Sequence, residues 1–276
     1  MRKTVPDAPA VRPKKWLGQH FLRDRGVARA LAEAAQIRPG DPVLEIGGGT
    51  GVVTAELVPR CDHLWVVEVD RSLAAALAER WEERPGVTVL AQDILTLDLK
   101  ELFTSPPGIV VGSLPYRLST PILKWWVAQK EVVRRGVFLV QREVAERIVA
   151  APGGRDYGRL SVLLQYHATA DLVRRVGAGC FFPRPRVESA LILLEMRPQP
   201  AVRVADPERF FTVVEYSFRQ RRKMLGNALQ AWARQALGLE PTEVEARLSA
   251  AGIDPRRRGE TLSLEEFAAV AEALSA

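Results

Sequence analysis

Over roughly the first 200 residues, short apolar runs alternate with stretches whose apolar side chains recur every three or four positions. VLEI (43–46), LWVVEV (64–69), VTVL (87–90), IVVG (109–112) and GVFLV (136–140) have strand length and hardly a polar position. Between them, VARALAEAAQI (27–37), VVTAELV (52–58) and an Ala/Leu stretch from Ser72 to about Glu82 carry helical spacing. Strands without a polar face, separated by helices, predict a parallel sheet covered on both sides.

The pattern changes near residue 200. RPQPAVRVADPERF is a proline-rich link ending in Asp206-Pro207, a capping residue followed by a proline suited to a first helical turn. Beyond it the chain reads as three or four amphipathic helices without strands. The last opens at LSLEEF, where Ser263 and Glu266 have capping-box spacing. The expected organisation is a disordered tail over 1–13, an α/β domain over 14–198 and a small all-helical domain over 199–276.

Composition narrows the class. The 276 residues are 47% hydrophobic and 26% charged, ordinary for a globular protein. No apolar run approaches the ~20 residues of a membrane span, and MRKTVPDAPAVRPKK lacks the apolar centre of a signal peptide. The expected location is the cytoplasm, with no membrane partner. Cys61 and Cys180 have neither metal-site spacing nor a disulfide framework, so no metal is expected. The net charge of +6, from 39 basic and 33 acidic residues, is unevenly spread. Residues 1–38 hold nine Lys/Arg against three Asp/Glu, and further basic runs lie at RQRRK (219–223) and RRR (256–258). Three separate clusters favour an anionic polymer as partner.

The first chemical motif is VLEIGGGTG, which puts Glu45 near the end of the first long strand and Gly47, Gly49 and Gly51 directly after it. Glycine allows a tight strand-to-helix turn and close approach of a ligand to the backbone. Val52 stands where a dinucleotide fingerprint needs its third glycine, yet the loop alone separates a methyltransferase from a dehydrogenase only weakly. Glu68, at the end of the next strand, is placed to accept from both hydroxyls of a ribose. Asp93, in AQDIL after the following strand, is placed to accept from the amine of adenine. Glu45 beside the loop would repel a pyrophosphate. Together these acids favour an adenosine without phosphates, and so S-adenosyl-L-methionine.

GSLPY (112–116) closes the fourth run at the position where N6-adenine methyltransferases carry an (Asn/Asp)-(Pro/Ile/Leu)-Pro-(Tyr/Phe) motif. KKWLGQHFLRD, FLVQREVAERI, YGRLSVLLQY, CFFPRPRVESALILL, RRKMLGNAL and RRRGETLSLEEFA extend the likeness. Over roughly residues 14–272 the chain resembles the ribosomal RNA small subunit methyltransferase A (dimethyladenosine transferase) family. The resemblance implies a Rossmann-like class I methyltransferase domain followed by a helical RNA-binding domain. It implies dimethylation of two adjacent adenines near the 3′ end of 16S rRNA during small-subunit maturation, by a monomer using S-adenosyl-L-methionine.

Chemistry gives the motif its roles. An adenine amine is a poor nucleophile, because its lone pair is delocalised into the ring. It must be held in line, about 3 Å from the methyl, with acceptors on its N–H groups as positive charge develops. The Leu114 carbonyl, held by the stiffness of Pro115, and the side chain of Ser113 are the candidate acceptors. Tyr116 is the candidate stacking ring for an adenine taken out of its helix or loop. By resemblance, Phe181 would cover the other face of the base, and His20 and Leu22 would line the cofactor pocket. The family normally has asparagine where this chain has Ser113; serine keeps an acceptor oxygen on a shorter arm and lacks the amide donor.

Candidate phosphate contacts are Lys14, Lys15, Arg23, Arg219, Arg221, Arg222 and Lys223, with Arg184 and Arg186 positioning the strand beside the pocket. Three other readings stay open. One is an erythromycin-resistance-type enzyme acting on 23S rRNA, against which the tail residues RRRGETLSLEEFA argue. Another is a non-catalytic assembly factor of the same fold, which Ser113 alone favours. The third, a DNA adenine methyltransferase, would need a larger target-recognition region than this short helical tail.

Overall fold

A computed structural model describes residues 13–14, 19–104 and 107–275. The chain divides into two compact units. The first comprises residues up to Ala145 together with Ala170–Met196, and the second comprises Glu146–Thr169 and Arg197 to the C-terminal end.

Among the described residues the strands are β1 (Phe21–Leu22), β2 (Val43–Ile46), β3 (Leu64–Val67), β4 (Val87–Leu90), β5 (Gly108–Ser113), β6 (Val133–Gln141), β7 (Ala168–Val176), β8 (Phe181–Phe182) and β9 (Ser189–Met196), the five apolar runs supplying β2 to β6. Seven of them form one sheet in the order β4-β3-β2-β5-β6-β9-β7. β4, β3, β2, β5 and β6 pair in parallel. The expectation of a wholly parallel sheet fails past β6, where β9 runs antiparallel to it. ALILL is as apolar as the other runs, and an apolar pattern carries no information about strand direction.

Among the described residues this half of the chain carries the helices α1 (Arg25–Ala34), α2 (Val52–Leu57), α3 (Arg71–Arg80) and α4 (Ser119–Ala128). α1 begins at Asp24, whose carboxylate accepts from the Val27 amide at 2.9 Å. Its buried stripe of Val27, Ala28, Leu31 and Ala32 joins Val43, Leu64, Val137 and Leu139 of the sheet. Period-2 alternation sends Phe138 to the opposite face, where it meets Trp126 of α4 edge-on at 6.0 Å. The sheet is therefore covered on both sides, and β2, β3 and β5 bury every residue except Trp65 and Ser113, which are half-buried. Trp125 and Trp126 are both core residues, the former donating its ring N–H to the Leu97 carbonyl at 2.8 Å.

The sequence reading kept 14–198 in one domain; the structure groups 146–169 with the helical unit instead. The end of α5 (Arg142–Val149) and α6 (Arg159–His167) are joined there by Gln165, which donates to the carbonyls of Ile148 (2.8 Å) and Ala150 (2.9 Å). Tyr157, Val162 and Tyr166 share a core with α7 (Pro207–Arg219), α8 (Leu225–Leu237), α9 (Pro241–Ala250) and α10 (Leu264–Ala273). Asp206 caps α7 through the Arg209 amide at 3.0 Å, with Pro207 in its first turn. Ser263 and Glu266 form the reciprocal capping box that their spacing suggests.

Strand β5 approaches β2 closely because Gly112 carries no side chain. A Cβ there would lie 2.8 Å from the Ile46 carbonyl oxygen, a backbone atom that cannot turn away. Gly112→Ala is expected to lose about 1–3 kcal/mol of stability, read by urea unfolding. A loss below about 0.5 kcal/mol would show that the two strands part freely.

Candidate active site

β2 hydrogen-bonds to β3 on one side and β5 on the other, so the carboxyl ends of three strands meet at one edge. The chain leaves β2 through a loop with φ of 73° at Gly47, 52° at Gly49 and 77° at Gly51, conformations that side chains rarely tolerate. The Gly47 amide donates to Val67 at 2.8 Å, tying the loop to the end of β3. Glu68 follows. One of its oxygens accepts from the Gly49 amide at 3.0 Å and the other from the Asp70 amide at 2.9 Å. Burial pushes this carboxyl up from its ordinary range, and the two amides oppose that push.

At the end of β5 the Leu114 amide donates to Leu139 at 3.0 Å, just past the last ladder pair. The Pro115 carbonyl is taken by the Leu118 amide at 2.9 Å and the Ser119 hydroxyl at 3.2 Å. Tyr116 is fixed at both ends. Its hydroxyl shares a hydrogen bond with Ser189 of β9 at 2.8 Å, and its ring is stacked on His20, centroids 5.4 Å apart at 27°. His20 is in turn held through Nδ1, 2.7 Å from the Pro183 carbonyl.

These elements enclose one cavity of about 320 Å³. Of the residues expected in the site, His20, Leu22, Gly47, Gly49, Glu68, Asp93, Ser113, Leu114, Pro115 and Tyr116 all line it. Apolar side chains such as Ile46, Val53, Ile94 and Ile122 supply much of the remaining wall. That combination fits an adenosine. Glu68 retains acceptor capacity for a ribose diol, Asp93 lines the cavity and is exposed, and the apolar wall suits a purine. No lysine or arginine among the described residues lines the cavity, so nothing there would neutralise a pyrophosphate.

Two expected site residues fall outside it. Glu45, read as a cofactor ligand, is only 1% exposed and accepts from the Thr54 hydroxyl at 2.7 Å. Strand alternation turns it away from the cavity and into the protein under α2. Burial pushes its carboxyl up to about 8, with Glu68 adding to the rise and Thr54 opposing it. Phe181, read as the second cover for the base, is buried in the core with Leu22 and Val27. In β8 adjacent residues face opposite ways, and it is Phe182 that is exposed.

The basic candidates also separate. Lys14 pairs with Asp70 at 2.9 Å, which ties the segment before His20 to the end of β3 rather than leaving a cation for phosphate. Lys15 lies outside the described residues. Arg221 is spent on Glu260 and on the Arg155 carbonyl, bracing its own unit. Arg23, Arg184, Arg186, Arg219, Arg222 and Lys223 are exposed. In the RRR run, Arg256 and Arg257 are paired with Asp254 and Glu266.

The sequence reading missed Gln19, Phe21, Gln92, Leu118 and Ser189. Phe21 had a signal, since it alternates with Leu22 beside the expected His20. Ser189 had none, because its partner Tyr116 is 73 residues away.

Residues 11–274 match the family model described as ribosomal RNA adenine dimethylase. The chain is 42% identical over 271 residues to a ribosomal RNA small subunit methyltransferase A from Moorella thermoacetica, covering 95% of this chain and 92% of that protein. It is 46% identical over 282 residues to the Anaeromyxobacter dehalogenans protein of the same name, covering 99% and 97%. Among solved structures, the 23S rRNA methyltransferase ErmE has a TM-score of 0.70 at 29% identity, over 93% of this chain and all of its own. A dimethyladenosine transferase from Plasmodium falciparum shares the fold, with a TM-score of 0.78 at 20% identity over 91% and 96% of the two chains.

Glu45 gives a pH test. Its folded-state value lies near 8 against an ordinary 4.5, so between those values the folded protein holds a proton that the unfolded chain has released. Stability from this group is therefore full below about 4.5 and is lost as pH rises toward 8. Glu45→Gln keeps an acceptor for Thr54 and cannot ionise. Denaturant unfolding is expected to show the wild type losing ground to this variant between about pH 4.5 and about pH 8. Parallel curves would mean that Glu45 is ionised in the folded protein.

Proposed function

The chain belongs to the ribosomal RNA adenine dimethylase family, and from that membership we propose that it dimethylates N6 of two adjacent adenines near the 3′ end of 16S rRNA in the assembling small subunit. It is a methyltransferase that uses S-adenosyl-L-methionine, as the family is. The target positions, action as a monomer and a cytoplasmic location are our reading. No helix among the described residues is long and apolar enough to cross a membrane.

One observation carries the proposal: Glu68 and Asp93 line the same cavity as Ser113, Leu114, Pro115 and Tyr116. The acids suit the cofactor's nucleoside, and the second group suits the target base. When bound, the cofactor supplies a methyl group made electrophilic by its sulfonium. The protein has to bring an amine up to that methyl and stabilise the charge that develops on nitrogen.

The Leu114 carbonyl and the Ser113 hydroxyl are the acceptors assigned to the two amine hydrogens. Pro115, with φ −58°, and the Leu114–Leu139 hydrogen bond fix the direction of that backbone. Tyr116 offers a ring face to the extruded purine, while His20 covers the other. No strong general base is required, because the amine becomes acidic once it is alkylated. Relatives at 39–46% identity carry the small-subunit name, and this favours 16S over 23S rRNA.

Purified protein and labelled S-adenosyl-L-methionine, incubated with undermethylated small subunits, are expected to place label in N6-methyladenosine and N6,N6-dimethyladenosine after RNA digestion. Label absent from RNA, with cofactor binding intact, would instead support a non-catalytic assembly factor. Ser113→Asn is expected to speed transfer roughly 10- to 100-fold, the equivalent of restoring one well-placed hydrogen bond. An unchanged or lower rate would remove position 113 from the acceptor pair.

A further inference from the structure

We propose that Phe182, with Arg23 over its ring and Arg184 and Arg186 exposed in the residues that follow it, is a stacking site for an unpaired nucleotide that flanks the target adenine in the RNA. The proposal rests on the reading of the cavity as an RNA adenine methylation site. β8 needs only one inward phenylalanine to anchor it, and Phe181 fills that role at 5% exposure. Phe182 is 49% exposed, a large flat apolar surface left in water. The Arg23 guanidinium stands over its ring, 5.0 Å from the centroid. Arg23 is itself positioned by its amide, which donates to the Cys180 carbonyl at 2.8 Å.

The segment that follows is FPRPRV (182–187), in which Arg184, Arg186 and Val187 are exposed and no acid intervenes. Glu188 is drawn into an ion pair with Arg142 at 2.6 Å. An exposed ring among cations, two of them held in a proline-stiffened run, is the combination that single-stranded nucleic acid uses: bases stack on the ring and phosphates meet the guanidiniums.

The surface is continuous with the cavity. Phe182 is the ladder partner of Phe21, which lines the cavity wall. The next carbonyl, that of Pro183, is 2.7 Å from His20 Nδ1, and His20 stacks on Tyr116. A purine held at Tyr116 therefore leaves its neighbour in the strand beside Phe182. Extruding one base strips that neighbour of a stacking partner, and Phe182 supplies a replacement. Adjacent target adenines give such a neighbour every time.

The test uses single-stranded RNA oligonucleotides containing two adjacent adenines, with 2-aminopurine in place of the nucleotide on either the 5′ or the 3′ side. Binding to the wild type is expected to quench the fluorophore on one side. Phe182→Ala and Phe182→Leu are expected to abolish that quenching and raise the Kd for RNA roughly 5- to 100-fold. Phe182→Tyr is expected to retain both, and S-adenosylhomocysteine binding is expected to be equal in all four proteins, showing that each is folded. On undermethylated small subunits, the alanine variant should raise KM more than it lowers kcat.

Wild-type RNA affinity and quenching in Phe182→Ala would overturn the platform while leaving the methylation reading intact. That result would also be expected if Phe182 served a protein partner. If the wild type transfers no methyl group to the subunits, the methylation reading itself fails.

Discussion

The site depends on one piece of register. Ile46 at the end of β2 stands opposite Val67 of β3 on one side and Gly112 of β5 on the other. Parallel strands in register end together, so the next residues of each chain segment emerge at one edge: the glycine turn, Glu68 and the Ser113–Tyr116 stretch. This is the carboxyl edge where open α/β sheets bind ligands. The close approach at Gly112 permits it, and hydrogen bonds from Gly47 to Val67 and from Leu114 to Leu139 hold the turns where the ladders stop.

Charge in the cavity is sparse, and that decides what it can hold. Among the described residues that line it, the carboxylates are those of Glu68 and Asp93, set in a largely apolar wall without lysine or arginine. Such a lining favours a neutral sugar diol, an amine and a cationic sulfur over phosphate. Glu45, buried with its proton retained at neutral pH, adds structure without adding charge. The acceptors proposed for the reacting amine are a backbone carbonyl and a hydroxyl, groups that would stabilise developing positive charge without competing for the proton.

Much of this is legible in the sequence because buried strands leave a strong signal. VLEI and VTVL end where the strands do, and the acids after two of the strands reach the cavity. What escapes is whatever one residue of alternation or one distant partner decides. Phe181, expected against the base, is buried while Phe182 is exposed, because neighbours in a strand face opposite ways. Glu45 turns inward for the same reason. Lys14 and Arg221 look like phosphate contacts until Asp70 and Glu260 are seen beside them. Residues 146–169 lie between strands in sequence yet fold with the helical unit, a choice made by long-range packing with Phe210 and its neighbours.

Soaking crystals of the protein with S-adenosylhomocysteine tests the central claim most directly. The account expects difference density with the ribose at Glu68, the adenine toward Asp93 and the sulfur directed to the Leu114–Tyr116 turn. Density for the nucleoside anywhere outside that strand edge, with the glycine turn undisturbed, would contradict it.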